Sequence, residues 1–185
     1  LNTISIHDII PLIRQMLVMI FIIELAGAFV LSVDFVPRFG PVGFYYGVFH
    51  SVSAFCNAGF DLMGGEFSSL SGFSESPLVL YTISLLVIIG GLGFMVWKDL
   101  LDYRKEKKLS AHTRMVLILS AVLLITTAIF IFLTEGDNAL AGMTLGQKIN
   151  ASLFLSINAR SSGFSTIDMD SLHGLSKAFV SLMMF

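Results

Sequence analysis

The chain has 185 residues, a single cysteine and a formal net charge of −2. Hydrophobic residues make up 55% of it and the mean hydropathy is +0.85, values that are typical of membrane proteins and not of soluble domains. One cysteine excludes a disulfide framework, a zinc cluster of cysteines and a paired redox motif within the chain. Acidic and basic residues nearly cancel, so their placement along the chain is more informative than their sum.

Three apolar segments are long enough to cross a membrane as helices, and a fourth begins near Ser176. They cover residues 12–33, 77–97 and 115–133. An α-helix rises about 1.5 Å per residue, so roughly 20 residues cross the ~30 Å hydrocarbon core. We therefore expect an all-α membrane protein whose last span is cut short within this chain.

Basic residues lie unevenly on the two sides of these spans, and this predicts the orientation. One side would hold Arg14, Lys98, Arg104, Lys105, Lys107, Lys108 and Arg114, and the other Arg38, Lys148, Arg160 and Lys177. Cytoplasmic loops carry the excess of Lys and Arg. We therefore expect the basic loop 98–114 in the cytoplasm and the opposite loops outside the cell membrane.

Two shorter apolar segments, residues 43–56 and 148–159, are expected to enter the membrane from outside and to stop at depth. The first runs into Asn57-Ala58-Gly59-Phe60-Asp61 and the second into Ser161-Ser162-Gly163-Phe164-Ser165. Irregular backbone is tolerated at this depth only where it lines a water-filled path or is buried in protein. Backbone carbonyls in such loops coordinate potassium-sized cations, and the partly negative C-terminal helix ends favour them. The pattern predicts a cation pore.

Both halves of the chain show the same order of elements: long span, polar outer segment, short helix, Gly-Phe, polar segment, long span. Gly59 and Gly163 anchor the match, and Ser-(Val/Ile)-x-Ala precedes them at residues 51–54 and 156–159. A single glycine of this kind is explained as a helix C-cap. Two matched endings favour a duplicated pore unit, with a first unit over residues 1–110 and a second over 111–185, truncated in its last helix.

Residues 51–61 and 158–168 resemble the second and third pore loops of the Trk/Ktr/HKT potassium transporters, most closely the pore-forming membrane subunit of bacterial Ktr systems. Residues 88–94 are similar to the end of the second repeat's inner helix in that family. The resemblance implies four helix–pore loop–helix repeats around a fourfold pseudosymmetric, potassium-channel-like pore, of which this chain would hold the middle two. It also implies a homodimer and a cytoplasmic ring of nucleotide-binding regulatory subunits, with no nucleic-acid partner.

Carried over by position, the resemblance implies a filter of backbone carbonyls that binds K⁺ or Na⁺, with no other metal and no covalent cofactor. The filter carbonyls would be those of Asn57, Ala58, Gly59, Phe60, Ser161, Ser162, Gly163 and Phe164. Arg160, Asp61 and Asp168 would support them, with Arg160 bonding the end of its helix or an outer acid such as Asp168. Ser161 and Ser162 stand where the family pattern has Thr-Ala, a departure that concerns the packing behind the filter.

Glu24 lies in mid-span, where a carboxyl group is costly unless it is paired, and is therefore a candidate intramembrane polar site. A hydrogen bond to a neighbouring helix is the structural alternative. The leading function is potassium uptake through the filter. The alternative is a secondary transporter whose re-entrant hairpins bind another small solute. An intramembrane enzyme would need a nucleophile with a base, or a metal pair, at depth; we find neither and predict no enzymatic activity.

Overall fold

The computed structural model describes residues 6–63, 70–74, 76–160 and 162–184, with side chains except at 6–9, 71 and 104–106. Over these residues the chain forms α-helices and two short 3₁₀ turns, without a strand. The helices are α1 (Ile6–Phe39), α2 (Val42–Phe55), α3 (Pro77–Leu92), α4 (Phe94–Glu106), α5 (Ala111–Glu135), α6 (Leu145–Ala159) and α7 (Gly174–Met183). The predicted all-α membrane class is confirmed.

Helices α1 and α5 are both long and apolar enough to cross a membrane, which confirms two of the predicted spans. Their outward faces remain open: Phe21 and Phe29 on α1 and Leu133 on α5 are each more than 60% exposed. Side chains of this kind belong against lipid or against further protein. The chain is thus part of a multi-pass membrane protein.

The second predicted span, residues 77–97, ends earlier than its apolar pattern indicates. A continuous helix was expected over residues 77–97, but α3 stops at Leu92 and the axis of α4 is turned by 98°. Gly93 lies at the break with φ of +81°, a conformation that costs glycine little. The indole N–H of Trp97 then donates to Ile89 O at 2.8 Å, which ties the first turn of α4 back to α3.

Helix α2 packs along α1 through small residues. Gly43 and Gly47 lie about one turn apart on α2, and a Cβ at either position would overlap atoms of α1. Small residues at this spacing allow helix backbones to approach closely in a membrane. The apolar core beside this contact contains Leu31, Phe35, Phe73, Val79, Ile83 and Leu86.

The same polar contact occurs at the short helix of each unit. Ser51 Oγ of α2 donates to Glu24 O of α1 at 2.7 Å, and Ser156 Oγ of α6 donates to Leu124 O of α5 at 2.7 Å. These are the two serines that the sequence comparison aligned upstream of the glycines. Each bond fixes the depth of a short helix against the long helix before it.

A second pair of contacts recurs near the C-terminal ends of the long helices α1 and α5. Ser76 Oγ, at the start of α3, donates to Asp34 Oδ2 of α1 at 2.9 Å. Thr134 Oγ1 of α5 lies 3.0 Å from Ser176 Oγ of α7. The partners are 42 residues apart in both units. The two units therefore share polar contacts, while the unit boundary at 110/111 and the fourfold pseudosymmetry stay predictions.

Candidate functional site

Each short helix runs into a loop, as predicted. Loop 1 (residues 56–63) follows α2, and loop 2 (residues 160–168) follows α6; Ser161 of loop 2 lies outside the described residues. The short helices themselves are confirmed, although α6 begins earlier than expected. Thr144 and Gln147 form a capping box there, in which each side chain bonds the other residue's backbone N–H.

The two loops meet at their glycines. Gly59 and Gly163 have φ of +70° and +76°. A Cβ at Gly59 would overlap the Ser162 carbonyl oxygen, whereas a Cβ at Gly163 would lie 3.8 Å from Gly59 Cα. Glycine is thus required at position 59 by both conformation and space, and at position 163 by conformation.

Several carbonyl oxygens of these loops are unpaired. Between the residues that the structure describes, no hydrogen bond uses the carbonyl oxygens of Ala58, Gly59, Ser162, Gly163 or Phe164. The Phe60 carbonyl differs, because it accepts a 2.7 Å bond from Ser53 Oγ. Buried backbone carbonyls require partners, and carbonyls that are free of hydrogen bonds can coordinate a cation.

The residue two places after each glycine stabilises its loop in the same way. Asp61 Oδ1 accepts the N–H of Met63 at 3.0 Å, and Ser165 Oγ accepts the N–H of Ile167 at 3.2 Å. Such turns are common for Asp and Ser. Ser165 is therefore the counterpart of Asp61, a role that the sequence comparison did not assign to it.

Arg160 and Asp168 do not meet. Asp168 Oδ1 accepts the N–H of Asp170 at 3.0 Å and begins a 3₁₀ turn. Arg160 is exposed, and its side chain forms no hydrogen bond or ion pair within the described part of the chain. It borders a cavity of about 260 Å³ together with Val87 and Gly91. The expected pairing of Arg160 with Asp168 is not found among these residues.

His50 of α2 contacts both loops. Its ring is fully buried; Nδ1 lies 2.7 Å from Tyr46 O, and the N–H of Leu62 donates to Nε2 at 3.5 Å. A carbonyl only accepts, so this geometry assigns the hydrogen to Nδ1. Phe164 of loop 2 stacks on the ring with centroids 6.4 Å apart. His50 is thus a packed polar residue that joins the two loops.

The phenylalanines that follow the two glycines differ in exposure. Phe164 is 1% exposed because it is seated against His50 of the first unit, whereas Phe60 is 71% exposed. Equivalent side chains in a repeat are expected to have equivalent neighbours. Phe60 is thus an exposed apolar side chain next to the site.

Glu24 lies near the start of loop 1. Its Oε1 is 3.9 Å from Cys56 Sγ, and its backbone carbonyl accepts the Ser51 bond. The candidate intramembrane polar residue is therefore close to the loops, while its role stays a prediction. Across the described ranges no group of three or more His, Cys, Asp and Glu side chains could hold a metal ion.

Comparison with known proteins identifies the family of the chain. The TrkH family, described as cation transport protein, matches residues 1–185. The chain belongs to the TrkH family. The family predicted from the two loops is thereby confirmed.

Curated relatives of this TrkH-family chain include potassium transport proteins. It is 37% identical to potassium/sodium uptake protein NtpJ of Enterococcus hirae, over 91% of the chain and 37% of that protein. It is 33% identical to Ktr system potassium uptake protein B of Bacillus subtilis, over 100% of the chain and 42% of that protein. It is 35% identical to the protein of the same name from Vibrio alginolyticus, over 85% of the chain and 35% of that protein. The chain spans about two fifths of the length of these relatives.

Proposed function

We propose that this chain lines part of a potassium uptake pathway, in which loops 1 and 2 supply backbone carbonyls that replace the hydration shell of the permeating ion. The observation that supports this most is the contact of the loops at Gly59 and Gly163, whose carbonyl oxygens form no hydrogen bond between the described residues. The names of the relatives, which specify potassium or potassium/sodium uptake, support K⁺ as the ion and Na⁺ as its competitor.

The proposed ligands divide between the loops. They are the carbonyls of Asn57, Ala58 and Gly59 from loop 1 and of Ser161, Ser162, Gly163 and Phe164 from loop 2. The Phe60 carbonyl has a supporting part, because Ser53 already occupies one of its lone pairs. The C-terminal ends of α2 and α6 add partial negative charge next to both loops, which favours a cation over an anionic solute.

Two loops form two sides of an ion path, and we propose that further repeats of the same pore form the others. The exposure of Phe60 supports this, because Phe164 shows that such a side chain packs on the short helix of the preceding unit. The homodimer, the cytoplasmic nucleotide-binding ring and a cell-membrane orientation with residues 98–114 inside are also proposals. The word system in the names of the Ktr relatives is in keeping with additional subunits.

Gly163→Ala in the full-length protein tests the proposed function. The added methyl group has space, with its nearest neighbour at 3.8 Å, but it disfavours the left-handed conformation of loop 2. Potassium uptake should fall to a small fraction of the wild-type rate, or its preference over sodium should be lost.

Gly142→Ala is the matched control, because Gly142 has φ of +82° with no atom near its Cβ position and lies outside both loops. This variant should retain uptake. Wild-type potassium uptake and selectivity in Gly163→Ala would contradict the proposal. Lost transport of an organic solute with unchanged potassium uptake would favour the secondary-transporter alternative.

A further inference from the structure

We propose that Ser53 and Asn158 are positioning residues that hold loops 1 and 2 on the ends of their short helices and thereby set the preference for K⁺ over Na⁺. The inference rests on the proposed function, since it assumes that the two loops bind the ion. Neither residue would touch the ion itself. Each would act through the backbone of the loop that it holds.

Ser53 and Asn158 occupy matching places on α2 and α6. Each stands two residues after a serine that bonds to a long helix, Ser51 or Ser156, and one residue before an alanine. Both side chains are buried, with exposures of 5% and 1%. Buried polar groups take hydrogen-bond partners, and at both places the partner is in the following loop.

Ser53 holds loop 1 at two points. Its carbonyl accepts the N–H of Ala58 at 2.8 Å, and its hydroxyl donates to Phe60 O at 2.7 Å. The two bonded residues flank Gly59, which is the residue that contacts loop 2. The residues on both sides of Gly59 are therefore held by a single residue of α2, Ser53.

Asn158 holds loop 2 at two residues. Its backbone carbonyl accepts the N–H groups of Ser162 and Gly163 at 3.0 and 3.3 Å, and its Oδ1 accepts from Ser162 Oγ at 2.6 Å. Its Nδ2 donates to Phe154 O one turn earlier at 2.7 Å. That bond fixes which way the amide points, because a carbonyl can only accept.

The two loops use different side chains for one task. Loop 1 has Ala58 before its glycine, so Ser53 bonds a backbone carbonyl beyond it. Loop 2 has Ser162 at that place, and the longer Asn158 side chain bonds its hydroxyl. Ser162 is one of the two residues that depart from the family pattern, and the structure shows that its hydroxyl is paired with α6.

Loss of either bond should affect selectivity more than uptake. A carbonyl filter distinguishes K⁺ from Na⁺ by the positions and the field of its oxygens. A loop that is held at fewer points can close around the smaller ion. The net free energy of one hydrogen bond corresponds to a change of about fivefold in the ratio of K⁺ to Na⁺ uptake.

The test for Ser53 compares three variants of the full-length protein in vesicles, with uptake of K⁺ and Na⁺ measured separately. Ser53→Ala should lower the K⁺/Na⁺ ratio by about fivefold, and Ser53→Thr, which keeps the hydroxyl, should restore most of it. Ser152→Ala is the control, because this α6 serine is also buried but its hydroxyl has no partner among the described residues. Its ratio should equal that of the wild type.

Asn158 is tested together with Ser162. Asn158→Ala and Ser162→Ala remove opposite sides of one contact, so each should lower the ratio, and the double variant should be no worse than the more affected single variant. Additive losses would show that the two side chains act independently and would contradict the proposed contact.

The outcomes separate the two proposals. A wild-type protein without K⁺ uptake overturns the proposed function and this inference with it. Wild-type ratios in Ser53→Ala and Asn158→Ala, in protein of normal yield and melting temperature, overturn the positioning role alone. If Ser53→Ala fails to fold, Ser53→Cys, whose thiol donates only weakly, takes its place. If Asn158→Ala fails to fold, Ser162→Ala takes its place. In both cases a wild-type K⁺/Na⁺ uptake ratio overturns the positioning role.

Discussion

Among single residues, Gly59 tolerates an added side chain least, because the backbone of loop 2 occupies the space beside it. Gly163→Ala and Gly142→Ala place a methyl group in left-handed backbone with room around it, so each should destabilise by about 1–2 kcal/mol. Gly59→Ala should cost clearly more, because its methyl group would also overlap the Ser162 carbonyl oxygen. Thermal unfolding of the purified full-length variants measures this order. Equal decreases in melting temperature for all three variants would contradict the contact between the loops.

Glu135 is a fully buried carboxylate at the C-terminal end of α5. It accepts from Asn138 Nδ2 at 2.7 Å and from the N–H of His173, just before α7, at 3.0 Å. Glu135→Ala leaves these donors unpaired and should destabilise the protein by about 2–3 kcal/mol. Asp137→Ala, an exposed neighbour, should change stability by less than about 0.5 kcal/mol. A denaturation series that gave both variants the same midpoint would refute the role of Glu135.

Individual site residues could be predicted from the sequence where their type restricts the backbone, and not where they depend on distant partners. Gly59 and Gly163 were found because glycine marks left-handed turns. Ser165 was missed as the counterpart of Asp61, because one unit uses a hydroxyl and the other a carboxylate for the same turn. No bond from the Arg160 side chain to Asp168 or to the end of α6 occurs among the described residues, so its supporting role stays a prediction; spacing along the chain does not give side-chain direction.

At the scale of elements, three helices begin against a carboxylate from an earlier helix. Asp34 bonds Ser76 before α3, Asp99 bonds Ser110 before α5, and Glu135 bonds the N–H of His173 before α7. The first N–H groups of a helix have no partner within it, and negative charge is favourable there. These contacts fix where each following helix starts.

Asp99 gives this arrangement a pH dependence. Hydrogen bonds from the hydroxyls of Ser110 and Thr113 hold the pKa of the Asp99 carboxyl below its usual value. A carboxyl whose pKa is lowered by folding stabilises the folded state above the unfolded pKa of about 3.9, and this contribution is lost as the pH falls further. The melting temperature of the wild type should exceed that of Asp99→Ala from neutral pH to about pH 5, and the difference should shrink below about pH 4.

Asp102→Ala on the same helix is the control, because the Asp102 side chain bonds no residue that the structure describes. This variant should keep the melting temperature of the wild type at neutral pH. A difference between wild type and Asp99→Ala that stayed constant down to pH values well below 4 would contradict the account.

Elements were predicted well where local composition determines them. The short helices were found from apolar runs that end in glycine, but the start of α6 was placed late because the Thr144–Gln147 capping box was not recognised. The break at Gly93 was missed because the apolar pattern continues to Trp97, and composition does not record the direction of a helix axis.

At the scale of the whole molecule, the two units leave an incomplete surface around the site. Phe164 is covered by the first unit, while Phe60 is exposed. If further repeats complete the pore, Phe60→Ala in the full-length protein should destabilise about as much as Phe164→Ala, on the order of 3–5 kcal/mol. Unfolding midpoints of the two variants test this, and a neutral Phe60→Ala beside a costly Phe164→Ala would exclude a neighbour at Phe60.

Membrane class and family were predictable from the sequence, because hydropathy and two short loops are local properties. That both loops line one pore was implied by the family resemblance. The contact of Gly59 with the Ser162 carbonyl was not predictable, because residues about a hundred positions apart meet there only through the packing of α2, α3 and α6. Fourfold pseudosymmetry stays a prediction, since it concerns repeats beyond the two units of this chain.

The most direct measurement is a structure of the full-length protein with Rb⁺ or Tl⁺ in place of K⁺, in which the heavier ion is located by its anomalous scattering. The account predicts an ion between loops 1 and 2, coordinated directly by carbonyl oxygens at Gly59, Ser162 and Gly163. Ions found elsewhere in the membrane region, with none at these carbonyls, would contradict it.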